Sequence, residues 1–526
     1  MKMKFIQATL FLAILLSAIS CKDALEDQYA NPEQTSEASI GKFFTKMLDN
    51  DRVRPSYWNV RTFLVMQPAM YAQLVSYTNS NKRYQQQLSY IDDYWRDYYT
   101  PTGSGIVAHF REMEKEYATL SAEEQVKADV FMNAARVVYA DQTAQMVDLW
   151  GDIPFSEAGK LNLSGESTAP AFDDAAEIYA TLLTTLKDAA TYFSTVELES
   201  TVAASFNKQD ILLKGSLDKW VRYTNSLRLR LLMRISFQNE SKAQTDVMEM
   251  LNNPSDYPLV DDAAYNVLLD PLTNYNDNMR SALTEVNSQT PPEFLLDDVL
   301  KPAGDPRIPV LYDKNTFTDA NNPDGIHNAD FYALPADLNS SDQETNIGHG
   351  KYAILDSATF LLNKAFPGIV ITSAEVNFLK AEAQERWGSS AEAQTSYEKG
   401  VTDAVNFTVY LNHLGGGTEV ITPTQITDLL ANSQVVYTGT EDELLTKIWT
   451  QKWISFGFIQ GTQAWAEVRR TKVPALTFVP DTSTPAYELP HSRLFYPTSE
   501  KTYNPDNYAK VASADVADGK IFWDVK

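Results

Sequence analysis

Apolar positions recur at a period of 3.6 residues through most of the chain, and that period predicts long helices arranged in pairs. The stretch Asp129–Trp150 is the most regular. Phe131, Ala134, Ala135, Val138, Met146 and Leu149 fall on one broad side, and Ala134, Ala140 and Ala144 allow a neighbouring helix to approach closely. Gly151 offers a left-handed stop, and Pro154 cannot extend the helix. Ser121 with Glu124 three residues on is a capping-box start, so Asp92–Leu120 and Ala122–Leu149 read as one antiparallel pair. Asp173–Phe193, with Ile178, Leu182, Leu186, Ala189 and Phe193 on one stripe, pairs with Gly215–Phe237. Thr372–Trp387 and Ala391–Leu411 form a third pair broken at Gly388, and Thr440–Phe458 leads a fourth. Periodicity fades in three blocks: before Asp92, around 252–368 and after Pro474. A structureless loop as long as the middle block is improbable inside a compact domain unless it is functional or holds short elements. The three blocks are expected to meet on one side of the helical scaffold.

The regular stretches also carry charge where a helix face should be apolar. Asp141 and Asp148, seven apart, share a face of the first long helix. Arg228, Arg230 and Arg234 lie within the leucine-rich run Trp220–Phe237. Half-buried acids need basic partners, so an acid–arginine bridge between these two helices is expected.

With 526 residues, a 44% hydrophobic share, 9 Trp, 27 Tyr and 24 Phe, the chain has ample material for a large core. Its formal net charge of −25 makes nucleic acid and anionic membrane surfaces poor partners. Lys2 and Lys4 precede the apolar run Phe5–Ile19, which is short for a bilayer span and has the proportions of a signal peptide. The run leads to Ala18-Ile19-Ser20-Cys21, with small residues before a cut that would leave the only cysteine at the new terminus. This reads as a bacterial lipoprotein with residues 1–20 removed and Cys21 acylated, although Ala18 stands where a lipobox usually has Leu. Residues 21–40, polar and without periodicity, read as a tether.

Several segments resemble the SusD/RagB-like family of nutrient-binding outer-membrane lipoproteins. They are LWGDIPFSEA from Leu149, the W-x-x-Y-x-N-S-L-R-x-R helix from Trp220, AEVNFLKAEA from Ala374 and QKWISFGFIQGTQAWAEVRRT from Gln451. Asp305-Pro306-Arg307-Ile308-Pro309 and Arg493-Leu494-Phe495-Tyr496-Pro497 are smaller echoes in the same order. Ala393, Tyr397, Gly400, Val401 and Ala404 resemble the second helix of a tetratricopeptide repeat. The resemblance implies an all-α fold: a tetratricopeptide-like scaffold at about 92–238 and 372–470, with large irregular insertions at about 252–368 and 474–526, in one domain over 41–526. It also implies a surface-exposed outer-membrane lipoprotein, held by lipid on Cys21, that captures an oligosaccharide or a peptide. Such a protein hands its ligand to a SusC-like TonB-dependent transporter. A helical-scaffold glycoside hydrolase and an envelope adaptor are the readings from other classes.

Catalytic and metal signatures are missing from the sequence. His109, His327, His349, His413 and His491 form no H-E-x-x-H pair, and no G-x-S-x-G elbow occurs. Gly348-His349-Gly350-Lys351 lacks both the leading Gly and the Ser/Thr of a phosphate loop and reads as a turn. Asp319–Gly325 also reads as a turn, because Pro323 takes a ligand position and no Glu closes a calcium loop; a loose structural calcium is the alternative, since some members of the family bind calcium. No cofactor is expected. Aromatics beside amides in irregular stretches are the remaining resource for holding a sugar. The candidate pool is Trp58, Asn79, Tyr84, Tyr275, Asn276, Phe331 and Tyr332. The anchor reading has a direct test. Cys21→Ser should leave the protein soluble on fractionation, because acyl chains supply nearly all the membrane affinity of an acidic protein. Retention of that variant in membranes lacking the transporter would contradict it.

Overall fold

A computed structural model describes residues 39–78, 82–161, 169–272, 278–484 and 487–526. The export segment, Cys21 and most of the tether lie outside them. The helices of the scaffold are α1 (Ile40–Leu48), α2 (Leu88–Tyr99), α3 (Ile106–Thr119), α4 (Ala122–Trp150), α5 (Ala175–Thr195), α6 (Ser200–Gln209) and α7 (Leu217–Arg234). They continue with α8 (Glu240–Asn252), α9 (Ser373–Trp387), α10 (Ser390–Leu414), α11 (Pro423–Ala431), α12 (Glu441–Phe456) and α13 (Gly461–Thr471). Among the described residues no helix is long and apolar enough to cross a membrane.

The pairs expected from the period are present. Ser121 caps α4 with the full capping box, its hydroxyl accepting from the Glu124 backbone N–H, and Thr440 starts α12 with Glu443 in the same way. Helix α4 packs on α3 and α5, α5 on α7, and α9 on both α10 and α12. Gly400 explains how closely α9 and α10 approach: a Cβ there would lie 2.8 Å from the Phe378 ring. Two expectations fail. Asp92–Leu120 is not one helix but α2 and α3, because Pro101 cannot continue α2 and Gly103 and Gly105 adopt positive φ in the turn. The block before Asp92 is partly helical. Ile40, Phe44, Met47 and Leu48 form a buried stripe on α1, too short a run to stand out in the sequence.

The middle block is built from small pieces. Strand pairs β1 (Val267–Leu269) with β6 (Gly368–Ile371) and β2 (Tyr312–Asp313) with β5 (Ile354–Leu355) tie the ends of its excursions together. The hairpin β3 (Thr316–Asp319) and β4 (Asn322–His327) contains the candidate calcium loop, and there the Asp319 carboxylate accepts from the Asn321 backbone N–H at 2.8 Å, as in a turn. Among the described residues no group of three His, Cys, Asp or Glu side chains is placed to hold a metal.

The acid–arginine bridge exists, and it is larger than the two helices that suggested it. Arg230 lies 3.4 Å from Asp141 and 2.5 Å from Glu375, joining α4, α7 and α9. Arg234 lies 3.3 Å from Asp148 and 2.6 Å from Glu467. Glu467 in turn meets Lys452 at 2.6 Å and Arg470 at 2.8 Å, and Arg470 meets Glu382 at 2.6 Å. All these side chains are buried. Tyr179 and Trp523 donate to Asp148, and Tyr223 donates to Asp141. The balance of charge decides how each acid titrates. Burial opposes ionisation of Glu382, but Arg470 and Lys452 outweigh it and bring the carboxyl from 4.5 down to about 2. Asp141 moves up, because burial dominates and its one cation, Arg230, is shared with Glu375.

Stability should follow the lowered acids. The part that Glu382 contributes is fully present above about pH 4.5 and is lost as the pH falls towards about 2. Asp141, shifted upward, works against this trend. Thermal melts over that range should show a falling midpoint with a shallower slope in Glu382→Gln. At neutral pH both Glu382→Gln and Asp148→Ala should lose about 3–5 kcal/mol, since each strands buried cations. Melts that match the parent protein would refute the role given to the network.

Candidate functional site

The three irregular blocks converge on one cleft. Its first wall is formed by residues 73–77, which follow the short helix Pro68–Tyr71, together with Arg83 and Tyr84. The Tyr71 hydroxyl, which donates to the Tyr84 carbonyl at 2.8 Å, holds the two parts of this wall together. The Ser76 hydroxyl donates to the Thr290 carbonyl at 2.7 Å and so ties this wall to the middle block. The second wall is the wide helical turn Phe294–Leu300 with the residues before it. Its Phe294 ring lies 6.0 Å from Trp453 of α12, edge to face, so the scaffold sets its position. Leu334 donates its backbone N–H to Pro291 at 3.0 Å, and Ala336 donates to Glu293 at 2.9 Å, which brings Leu334–Ala336 to the cleft edge. The C-terminal block closes the site with Thr477, Phe478 and Val479, and Gln73 donates to the Thr477 carbonyl.

The empty space is about 700 Å³, part of it open to solvent. Tyr77, Phe294 and Phe478 line it, together with Glu293, Asp298 and Arg83. Arg83 stacks 4.7 Å above the Tyr84 ring and donates to the Val479 carbonyl, while its Nε has no hydrogen-bond partner among the described residues. Burial pulls the Arg83 pKa down and pushes the Tyr84 hydroxyl up. The arrangement offers apolar faces with a few polar groups around them, the pattern of a small-ligand site.

The candidate pool divides by position. Tyr84 is part of the cleft wall; its ring is buried edge-on against Phe478 at 5.9 Å, and its hydroxyl donates to Val479 at 3.0 Å. Phe331 and Tyr332 do not line the cleft. Lys314 sits 5.1 Å from the Phe331 ring centre and Lys301 sits 6.0 Å from that of Tyr332, which is exposed. Trp58 is elsewhere, stacked on Tyr94 at 5.5 Å against the core. Asn79, Tyr275 and Asn276 lie outside the described residues. Sequence reasoning passed over Phe294, Phe478, Arg83 and Asp298. All four fall in the irregular blocks, but nothing local marks them there.

A protein-family model described as starch-binding associating with outer membrane matches residues 32–497. Among solved structures, a chitin-binding protein aligns with a TM-score of 0.73 at 20% identity, covering 92% of this chain and 99% of that one. A chitin-binding SusD homolog from Flavobacterium johnsoniae aligns with a TM-score of 0.69 at 20% identity, covering 93% and 99%. A SusD homolog from Parabacteroides distasonis gives 0.72 at 20% identity, covering 93% and 98%. At these identities the structures speak for a shared all-α fold. A search of curated protein sequences finds no match.

Proposed function

The chain belongs to the SusD-like family of starch-binding proteins that associate with the outer membrane, and from that premise we propose that it captures an oligosaccharide in the cleft between its three irregular blocks. Proteins of this family bind rather than turn over their ligands. The observation that carries the reading is the meeting of Tyr77, Phe294 and Phe478 with Arg83, Glu293 and Asp298 in one open cleft. Pyranose rings present apolar C–H faces that stack on such side chains, and their hydroxyls both donate to carboxylates and accept from a guanidinium. Glu293 and Phe294 are held by backbone contacts and by the scaffold, so the site is largely formed before a ligand arrives.

Delivery completes the proposal. A lipid on Cys21 would hold the protein at the outer membrane, and the cleft would present its sugar to a SusC-like TonB-dependent transporter capped by the same chain. The helical pairs give a continuous, regular face suited to a protein partner, whereas the insertions carry the ligand.

Calorimetry with a panel of neutral glycans tests the capture step. Phe478→Ala should weaken binding by about 1–3 kcal/mol, by analogy with rings that stack nucleic-acid bases. Its melting curve should change little, since Phe478 is only partly buried. Tyr503, 80% exposed and outside the cleft, serves as the control, and Tyr503→Ala should bind like the parent. Unchanged affinity in Phe478→Ala, or tight binding of peptides in place of glycans, would overturn the reading.

A further inference from the structure

A second polar groove lies on the scaffold itself, between α5 and α7 and under the turn Ser255–Pro258. It holds about 1140 Å³ of empty space, part of it open to solvent, and shares no lining residue with the cleft. Its floor is unusual for two packed helices. Asn225 is fully buried; its Nδ2 donates to the Pro258 carbonyl at 3.1 Å, but its Oδ1 accepts from nothing among the described residues. Arg228 is 3% exposed, and its one ion pair, to Asp246, is long at 3.6 Å. Buried polar groups are normally satisfied, so the unpartnered Asn225 Oδ1 stands out.

We propose that this groove is a second saccharide subsite. The ligand class follows from what the groove leaves unmatched. Asn225 Oδ1 requires a donor, and the Arg228 guanidinium, held only by a long ion pair to Asp246, favours an acceptor beside it; a hydroxyl supplies both. An inorganic anion would serve Arg228 alone, and it would have to approach Asp218, Asp246 and Asp256. Tyr257 adds a ring whose centre is 6.0 Å from the Arg228 guanidinium, and its hydroxyl is fixed by a 2.6 Å bond to Glu249. The ring is half-buried and lines the groove, where it can meet the C–H face of a sugar. Two separate points of attachment on one molecule would hold an extended chain by effective concentration, even when each alone is weak.

The experiment uses the soluble chain from residue 22 with maltohexaose and chitohexaose as probes, followed by calorimetry. In a Phe478→Ala background, at least one probe should still bind. Thr191→Trp, which fills the groove from its exposed rim, and Tyr257→Ala should each lower that residual affinity by about tenfold, and inorganic sulfate should not compete. Circular dichroism melts confirm that both variants are folded. The proposal is overturned if neither groove variant changes the binding of any probe, if no probe binds in the Phe478→Ala background, or if sulfate displaces the sugar. Binding lost in Phe478→Ala and untouched by Thr191→Trp would remove the groove and leave the cleft standing. The reverse pattern would remove the cleft and leave the groove.

Discussion

The structure depends on a buried run of alternating charges. From Asp148 it passes through Arg234, Glu467 and Arg470 to Glu382, with Lys452 between the last two acids, and it ties α4, α7, α9, α12 and α13 together. An isolated charge is costly at this depth, whereas three acids and three cations in contact offset one another's desolvation. The same interaction constrains orientation. A hydrophobic contact tolerates sliding, whereas a guanidinium fork bound to two carboxylates fixes register between helices.

That rigidity explains the division of the molecule. Helices that are locked together can support long irregular connections, because those connections need not contribute much to the core. The pieces of the middle block are pinned by short strand pairs and by single anchoring rings such as Phe294 on Trp453. The C-terminal block does both kinds of work. Phe478 faces the cleft, while Trp523 donates to Asp148 at 2.8 Å and closes the charged run from outside. One tail thus contributes both to the cleft and to the centre of the scaffold.

The two polar recesses sit on different kinds of structure. The cleft is made of chain that departs from helical geometry, so its shape can change with the length of the insertions. The groove between α5 and α7 is made of helix faces whose spacing the core fixes. A polymer ligand that engages both would meet one surface built from irregular chain and one built from helix faces.

Local order was legible in the sequence, and long-range assembly was not. Helical period predicted α4, α5, α7, α9, α10 and α12, and the Ser121 cap is a local hydrogen-bond pattern that needs nothing else from the fold. Acids at 141 and 148 on one apolar helix required cations, and the arginines of α7 were the available ones. The sequence had no means of adding Glu375, Glu382, Lys452 and Glu467, because their pairing spans up to hundreds of residues and leaves no periodic trace. The break at Pro101–Gly105 was passed over although Pro101 and the two glycines mark it locally, and the short helix α1 was missed because so short a stripe does not stand out in irregular sequence. Irregular blocks were recognisable as where a cleft could form, but its lining residues were not. Tyr84 lines the cleft and Trp58 joins the core, although both are aromatic residues in the same non-periodic stretch. Side-chain direction in an irregular segment is set by contacts from the rest of the fold, and only the tertiary structure supplies them.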